Sequence, residues 1–373
     1  MHASGKADHY DVLVVGGGAA GSAAAWQLTK RGHRVCLLER FAPGHRAGSS
    51  HGRSRLLRLT YTDPLYARMA AEALRMWHRL ESESGVDLIA TVGAVDGGRA
   101  ERLEQAAVAL AGEGADYEVF TEHQARSRWP QLALPGDVLF HPDAARVDPD
   151  ATLPALQHLA ARSGCRILYD TPVTALETDA DGVRARTPAG TFTAPVAVVT
   201  VGPWTSRLLD GLVTLPELTV TQEQVFHLPQ RDPDAAWPAF SFQHEDGGIV
   251  YGMPTADEGV KVAEHLGGRV VDPETRDGIV DAAARGRVLA FAAERLPGLE
   301  PVVSTETTCL YTSTADEDFL LDRVGPLVVG TACSGHGFKF TPLLGRMLAD
   351  LAEGGTEPHP RFRLPSPAPA DRA

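Results

Sequence analysis

Six residues near the start of the chain, Gly16-Gly17-Gly18-Ala19-Ala20-Gly21, have the types and spacing to hold a pyrophosphate. They follow a short apolar run, Asp11–Val15, and open an Ala-rich stretch from Ala19 to Lys30. In that setting Gly16 permits a tight turn, Gly18 lets backbone approach a phosphate, and Gly21 lets a helix pack closely on the strand before it. The first N–H groups of the helix would point at the anion. A second apolar run, Arg34–Leu38, ends in Glu39, placed to accept hydrogen bonds from ribose hydroxyls and to repel a 2′-phosphate. The competing reading is a glycine-rich turn with no ligand; the flanking strand, helix and terminal acid weigh against it. The motif alone does not separate FAD from NAD.

The elements around this motif follow from hydrophobic period and turn residues. Asp63 to about Ser84 reads as a helix, as do Leu153–Ser163 and a stretch from about Thr341 to Glu353. Val173–Glu177, Gly182–Thr187, Thr191–Thr193 and Val196–Val201 read as a meander of short strands leading to Gly202-Pro203-Trp204. Strand-like segments dominate from Leu218 to His265, including Val220–His227, Ala239–Gln243, Gly248–Met253 and Val260–Ala263. Asp272-Pro273 is expected to begin a helix, with a cap and a proline at its first position. Ser334 to Gly337 forms a turn after a buried strand, Leu327–Gly330.

Composition bounds the possibilities. With 43% hydrophobic and 22% charged residues, the chain is that of a globular protein. A net charge of −13 argues against a nucleic-acid surface. Cys36, Cys165, Cys309 and Cys333 form no CxxC pair, so neither a metal site nor a disulfide framework is expected. The polar N-terminus, the absence of a long apolar run and the C-terminal Asp-Arg-Ala point to no membrane and to the cytoplasm.

Further segments carry a resemblance. Glu39-Arg40-Phe41 leads to Ser49-Ser50-His51-Gly52-Arg53-Ser54-Arg55-Leu56-Leu57-Arg58. Cys309-Leu310-Tyr311-Thr312 and Asp316-Glu317-Asp318-Phe319 precede Ser334-Gly335-His336-Gly337-Phe338-Lys339. Together these resemble the monomeric sarcosine oxidase and N-methyltryptophan oxidase family of FAD-dependent amine oxidases, from about Tyr10 to Phe362. The resemblance implies an α/β fold: a Rossmann-type FAD-binding domain interleaved with a smaller α+β substrate domain whose mixed sheet is largely antiparallel. Its expected limits are 8–85, 145–215 and 305–362 for the FAD domain and 86–144 and 216–304 for the substrate domain, with 363–373 a disordered tail. The cofactor implied is FAD. The partners are a small amine and molecular oxygen, and the protein is a monomer.

By the same resemblance Cys309 carries the flavin through a thioether; the plain alternative is a small buried hydrophobe. Arg58 and Lys339 hold a substrate carboxylate, against a surface ion pair for the arginine. Lys261 activates oxygen, against an exposed lysine on an alternating strand. Tyr251, Tyr311 and His265 complete the pocket, although a lone histidine is more often structural. Flavin contacts are implied for Ser50, His51, Ser54, Arg55, Val173, Gly202 and Trp204, in addition to Gly16, Gly18, Gly21, Glu39 and Arg40. The backbone of Gly335, His336, Gly337 and Phe338 would meet negative charge on the ring. Departures from the family pattern are Arg53-Ser54 where Asp-Thr is usual, Cys333 in place of a bulkier residue, and a shorter spacing from Tyr251 to Lys261.

The expected function is oxidation of the C–N bond of a secondary amine, an N-methyl or cyclic amino acid, giving an imine and hydrogen peroxide. The alternatives are an amine dehydrogenase, an oxidase tailoring a specialised metabolite, and an inert FAD-binding protein.

Overall fold

Val12–Val15, Val35–Leu38 and Val196–Val199 are buried along their whole length, the mark of parallel strands covered on both faces. In the computed structural model, which describes residues 8–331 and 333–365, they lie side by side. The sheet runs Arg166–Leu168, Val35–Leu38, Val12–Val15, Val196–Val199, Leu327–Thr331, all parallel, and ends in an antiparallel edge strand, Leu320–Val324. Leu13, Val15, Ala197 and Val199 point to a core shared with a four-stranded sheet that contains Ala175–Asp179, Gly182–Thr187 and Gly190–Ala194. The helices Ala19–Lys30 and Thr341–Glu353 pack together, with Gly345 against Ala23.

These elements belong to the first of two units, built from the described residues of Met1–His51, Thr152–Val220 and Leu310–Ala373. The second comprises Gly52–Ala151 and Thr221–Cys309. Residues 52–85, expected with the nucleotide domain, group instead with the second unit. The reason is strand pairing: Arg55–Leu57 and Ile89–Thr91 flank Ala145–Val147 in one three-stranded sheet. The helix Pro64–Ser84, started by Asp63 accepting from Leu65 N at 2.8 Å, packs on Ala100–Gly112 and on Ile89–Thr91.

The second unit's main sheet has nine strands and is mixed. Its central order is Thr219–Leu228, Val260–His265, Ile249–Pro254, Ala239–Gln243, Ala94–Gly97, Val138–His141. Only Ala239–Gln243 against Ala94–Gly97 is parallel within that run. Successive side chains on a strand point to opposite faces, and here the two faces differ in kind. One carries Phe226, Phe240, Phe242, Val250, Val260 and Val262, packed under the helix Ala282–Arg295 with Trp129 and Trp237. The other carries Asp96, Ser241, Tyr251 and Ala263 in one cross-strand row and Met253, Lys261 and His227 in the next.

Two expectations need correction. Asp272-Pro273 does not begin a helix: Arg276 N reaches Asp272 O for a single turn, and Asp277-Gly278 then redirects the chain, with Asp277 accepting from Ile279 N. The helix starts later, at Ala282, capped by Asp281. The C-terminal stretch is ordered further than its composition suggests. Pro360–Phe362 forms a turn, Phe362 is fully buried against Phe319, and Leu364 is buried with its N–H on Asp322. The remainder of the expected tail, residues 366–373, lies outside the described residues.

The contact of the two helices gives a stability prediction. A Cβ on Gly345 would sit 2.5 Å from that of Ala23, and helix backbones cannot yield as a side-chain tip can. Gly345→Val should cost about 1–3 kcal/mol and lower the thermal midpoint; an unchanged midpoint would show that the helices separate freely.

Candidate active site

The turn after Val12–Val15 has the features a pyrophosphate needs. Gly16 has φ +98°, a conformation that favours glycine, and a Cβ there would lie 2.6 Å from Thr200 O. A Cβ on Gly21 would strike Gly16 O and Thr200 Oγ1. A Cβ on Gly18 would meet only Ser50 Oγ, at 3.3 Å, so backbone is open to a ligand there. No side chain caps the helix at Gly18, while Ser50 Oγ accepts from Ala19 N at 3.1 Å. Near the turn, the Trp204 Nε1 donor is buried with no partner among the described residues, and its ring packs at a tilt against Phe41 with the Arg40 guanidinium over it. A dinucleotide such as FAD fits these residues: Gly16, Gly18 and Gly21 leave room for its pyrophosphate, and Trp204 has an N–H donor without a partner among the described residues.

Glu39 has a second task that sequence did not show. Its carboxylate accepts from Gly17 N at 2.6 Å and from Phe41 N at 2.9 Å and lies 3.4 Å from His45 Nε2. Burial opposes its ionisation, but the bonds from His45, Phe41 and Gly17 outweigh that cost and hold the carboxyl below its usual range. The acid therefore braces the glycine loop, and lone pairs remain for a ribose. Two further braces went unnoticed in the sequence. Thr200 Oγ1 donates toward Gly16 O at 3.0 Å, and Gln157 Nε2 donates to Gly17 O at 3.1 Å. Thr200 could have been found, since it ends a wholly apolar strand just ahead of Gly202; Gln157 lies far along the chain with no local signal. Val173 lies on a loop of this unit, Gly202 opens the single turn Gly202–Trp204, and His51 is buried.

The segment before the C-terminal helix is tightly built. Ser334 N donates to Thr312 O at 3.1 Å and His336 N to Cys333 O at 2.9 Å. Gly335 lies against the Tyr311 ring so closely that no Cβ would fit. His336 packs at a tilt against Phe319, and its Nε2 meets Glu317 O at 3.1 Å. Phe338 begins the turn Phe338–Phe340, whose cap is Gly337. Lys339 is buried, its Nζ donating to His336 O at 3.0 Å.

In the second unit, the polar face of the sheet gathers the remaining residues. Lys261 is 3% exposed and is no surface lysine. Its Nζ donates to Ser54 O at 3.1 Å and lies 5.8 Å from the Tyr251 ring centre; among the described residues it makes no ion pair. Burial first, and then the charge of Arg55, pull its pKa down to about 7, against the pull of Cys309 and Glu258. Cys309 is buried; burial raises its thiol pKa, while Arg55 and Lys261 favour the thiolate. His265 lies two residues beyond Ala263 on the same face and interacts with Glu223, a carboxyl raised above its usual range by burial. Arg58 Nη1 donates to Thr60 O and Thr60 Oγ1 at 2.6 Å and to Asp96 Oδ1 at 3.0 Å. Asp96 and Ser241 carry no recognisable motif and went unnoticed in the sequence. Ser54 and Arg55 fall in this unit, and Arg53 spends its guanidinium on exposed Asp257.

The buried lysine makes a prediction. An unfolded lysine titrates near 10.5 and Lys261 near 7, so between those values the unfolded chain holds the extra proton. Folded stability gains as pH rises through that window; below about 7 both states are charged and the full penalty remains. Lys261→Met removes the penalty. The variant's advantage in melting temperature should be greatest at pH 7 and shrink toward pH 10; a pH-independent difference would refute the buried charge.

Comparison with known proteins agrees with this arrangement. Residues 11–351 match the model of a family described as FAD dependent oxidoreductase. A monomeric sarcosine oxidase from Streptomyces avermitilis is 34% identical, over 94% of this chain and 95% of the relative. An N-methyl-L-tryptophan oxidase from Yersinia pestis is 30% identical, over 94% and 96%. Among solved structures, the open form of NikD, an unusual amino acid oxidase essential for nikkomycin biosynthesis, superposes with a TM-score of 0.86 at 30% identity, covering 97% of this chain and 98% of that one. With the glycine cradle, the interleaved units and a match along nearly its whole length, the chain belongs to the FAD dependent oxidoreductase family.

Proposed function

We propose that this FAD enzyme oxidises the C–N bond of a secondary amino acid, with oxygen as electron acceptor, and that its flavin is held covalently by Cys309. The observation that carries the reading is Lys261: a lysine buried with no ion pair among the described residues, on the polar face of a sheet, is costly and finds its use in chemistry. When bound, the flavin supplies the redox step; the protein supplies orientation and electrostatics.

Each residue then has a task. Arg58 offers a fork for the substrate carboxylate, and all three of its described bonds leave from one nitrogen, Nη1. Lys339, the buried cation of the first unit, carries the same assignment by resemblance. Lys261 stabilises negative charge as oxygen is reduced; near neutral pH it is also able to hold or release a proton. Tyr251 and Tyr311 supply ring faces, and His265, backed by Glu223, tunes protonation of the amine. The cations Arg55 and Lys261 favour the Cys309 thiolate, the reactive form for the thioether. The imine product hydrolyses to an aldehyde or keto acid. The enzyme acts as a monomer.

Two experiments test the proposal. Anaerobic addition of sarcosine, N-methyltryptophan, proline or pipecolate should bleach the flavin, with colour and peroxide returning in air. Lys261→Met should slow that return at least tenfold while bleaching stays fast. Bleaching that air does not reverse would make the protein a dehydrogenase, and no bleaching by any secondary amine would overturn the chemistry. Separately, acid-precipitated protein should keep its yellow colour, and Cys309→Ala should release it to the supernatant; a colourless wild-type pellet refutes the covalent bond.

A further inference from the structure

The glycine turn contains two successive peptide groups, and the chain pins them differently. In the first, both ends are bonded: Thr200 Oγ1 donates to Gly16 O at 3.0 Å, and Gly17 N donates to Glu39 Oε2 at 2.6 Å. In the second, only the carbonyl is held. Gly17 O accepts from Ser22 Oγ at 2.8 Å and from Gln157 Nε2 at 3.1 Å, while Gly18 N has no hydrogen bond among the described residues. In a planar trans peptide the C=O and N–H point to opposite sides. Fixing the Gly17 carbonyl on Ser22 and Gln157 therefore aims the Gly18 N–H the other way. That is the start of the helix Ala19–Lys30, where a Cβ on Gly18 would meet only Ser50 Oγ.

This second peptide needs holding. It joins two glycines, so no Cβ on either side opposes rotation of the unit. Rotated by half a turn, it would present the Gly17 oxygen to a pyrophosphate and repel it. The Gln157 amide that prevents this is itself oriented. Tyr169 Oη donates to Gln157 Oε1 at 2.6 Å, which leaves the amide NH2 to face Gly17 O and, at 3.2 Å, Ser22 Oγ. Tyr169 is fixed in turn by its neighbours: Glu39 N donates to Leu168 O and Thr171 N to Glu39 O, both at 2.8 Å. Thr171 Oγ1 also donates to Tyr169 O at 2.8 Å. One strand end thus grips Gly17 twice, through the Glu39 carboxylate at its N–H and through Tyr169 and Gln157 at its carbonyl.

We infer that Gln157, oriented by Tyr169, is a positioning residue for the cofactor: it selects the peptide orientation in which Gly18 N–H donates to the pyrophosphate of FAD. The inference rests on the glycine turn as the pyrophosphate site and not on the amine chemistry proposed above. It gives Gln157 a task beyond rigidity. Without its amide the peptide populates the orientation with the carbonyl outward, and affinity for FAD falls with the fraction of chains left in the competent state. Tyr169 acts only through Gln157, so its contribution vanishes once Gln157 is gone.

The test uses the full chain with Cys309→Ala, from which FAD can be removed and returned. Its dissociation constant, read by flavin absorbance and calorimetry, should rise about tenfold in Gln157→Leu and less in Tyr169→Phe. Adding Tyr169→Phe to Gln157→Leu should change it no further. The phosphorus NMR resonances of bound FAD should also move in Gln157→Leu, because the donor facing the phosphates is lost; melting midpoints of the flavin-free variants check the fold. A constant for Gln157→Leu within about twofold of the parent, with unmoved phosphorus resonances, overturns the inference. So does full additivity of the two substitutions. If Gln157→Leu does not fold, Tyr169→Phe decides alone, and an unchanged constant and phosphorus spectrum refute the role. If the FAD results hold but no secondary amine bleaches the flavin, the proposed chemistry fails and the role of Gln157 stands.

Discussion

A β-strand has two faces, and a sheet packed under a helix must give one of them to the core. In the second unit that rule fixes where chemistry is able to occur. Phe226, Phe240, Val250, Val260 and Val262 take one side, so every intervening residue is turned to the other. Lys261 stands between Val260 and Val262 because the alternation leaves it no choice of face. Tyr251, Ser241 and Asp96 follow by register across three strands. A one-residue slip of any of these strands would put aromatic rings where the cations are and charges in the core. The site and the core thus depend on the same hydrogen-bond register.

The first unit works by a different constraint, close approach. Its chemistry-bearing surface is backbone, exposed where side chains are missing at Gly16, Gly18 and Gly21. Such a surface has to be held rigid by residues around it, and Glu39, Thr200 and Gln157 do so through bonds to the loop. The carboxylate of Glu39 shows how one group can serve two ends. It stays ionised because the bonds from His45, Phe41 N and Gly17 N outweigh the cost of burial, and a charge so held would repel a phosphorylated ribose.

Much of this was legible in the sequence, and what was not has physical reasons. The nucleotide loop has a local signature because its turn, close approach and helix packing each demand glycine at a fixed offset. The strand at Ala239–Gln243 was legible from its composition. Burial of Lys261 was not, since alternation between valines is equally the pattern of an exposed lysine; only the identity of the layer above decides. Asp96 and Ser241 carry no motif, because they meet through strand register rather than through spacing along the chain. The helix expected at Asp272 failed because a good cap starts a turn but cannot sustain one through Asp277-Gly278. The extent of the C-terminal order was hidden by Pro-rich composition, against which one burial, Phe362 on Phe319, and the Arg361–Asp318 pair prevail.

A lysine that titrates near neutrality ties its proton to whatever else occupies the same face. Lys261 sits in a field already divided between Arg55 on one side and Glu258 and Cys309 on the other, so one more negative charge tips the balance toward the ammonium. An anionic ligand settling there draws a proton from solution as it binds. By thermodynamic reciprocity, mild acid then strengthens the hold on that ligand. Occupancy and acidity become two readings of a single equilibrium, and the buffer in which the protein is studied becomes one of its effectors.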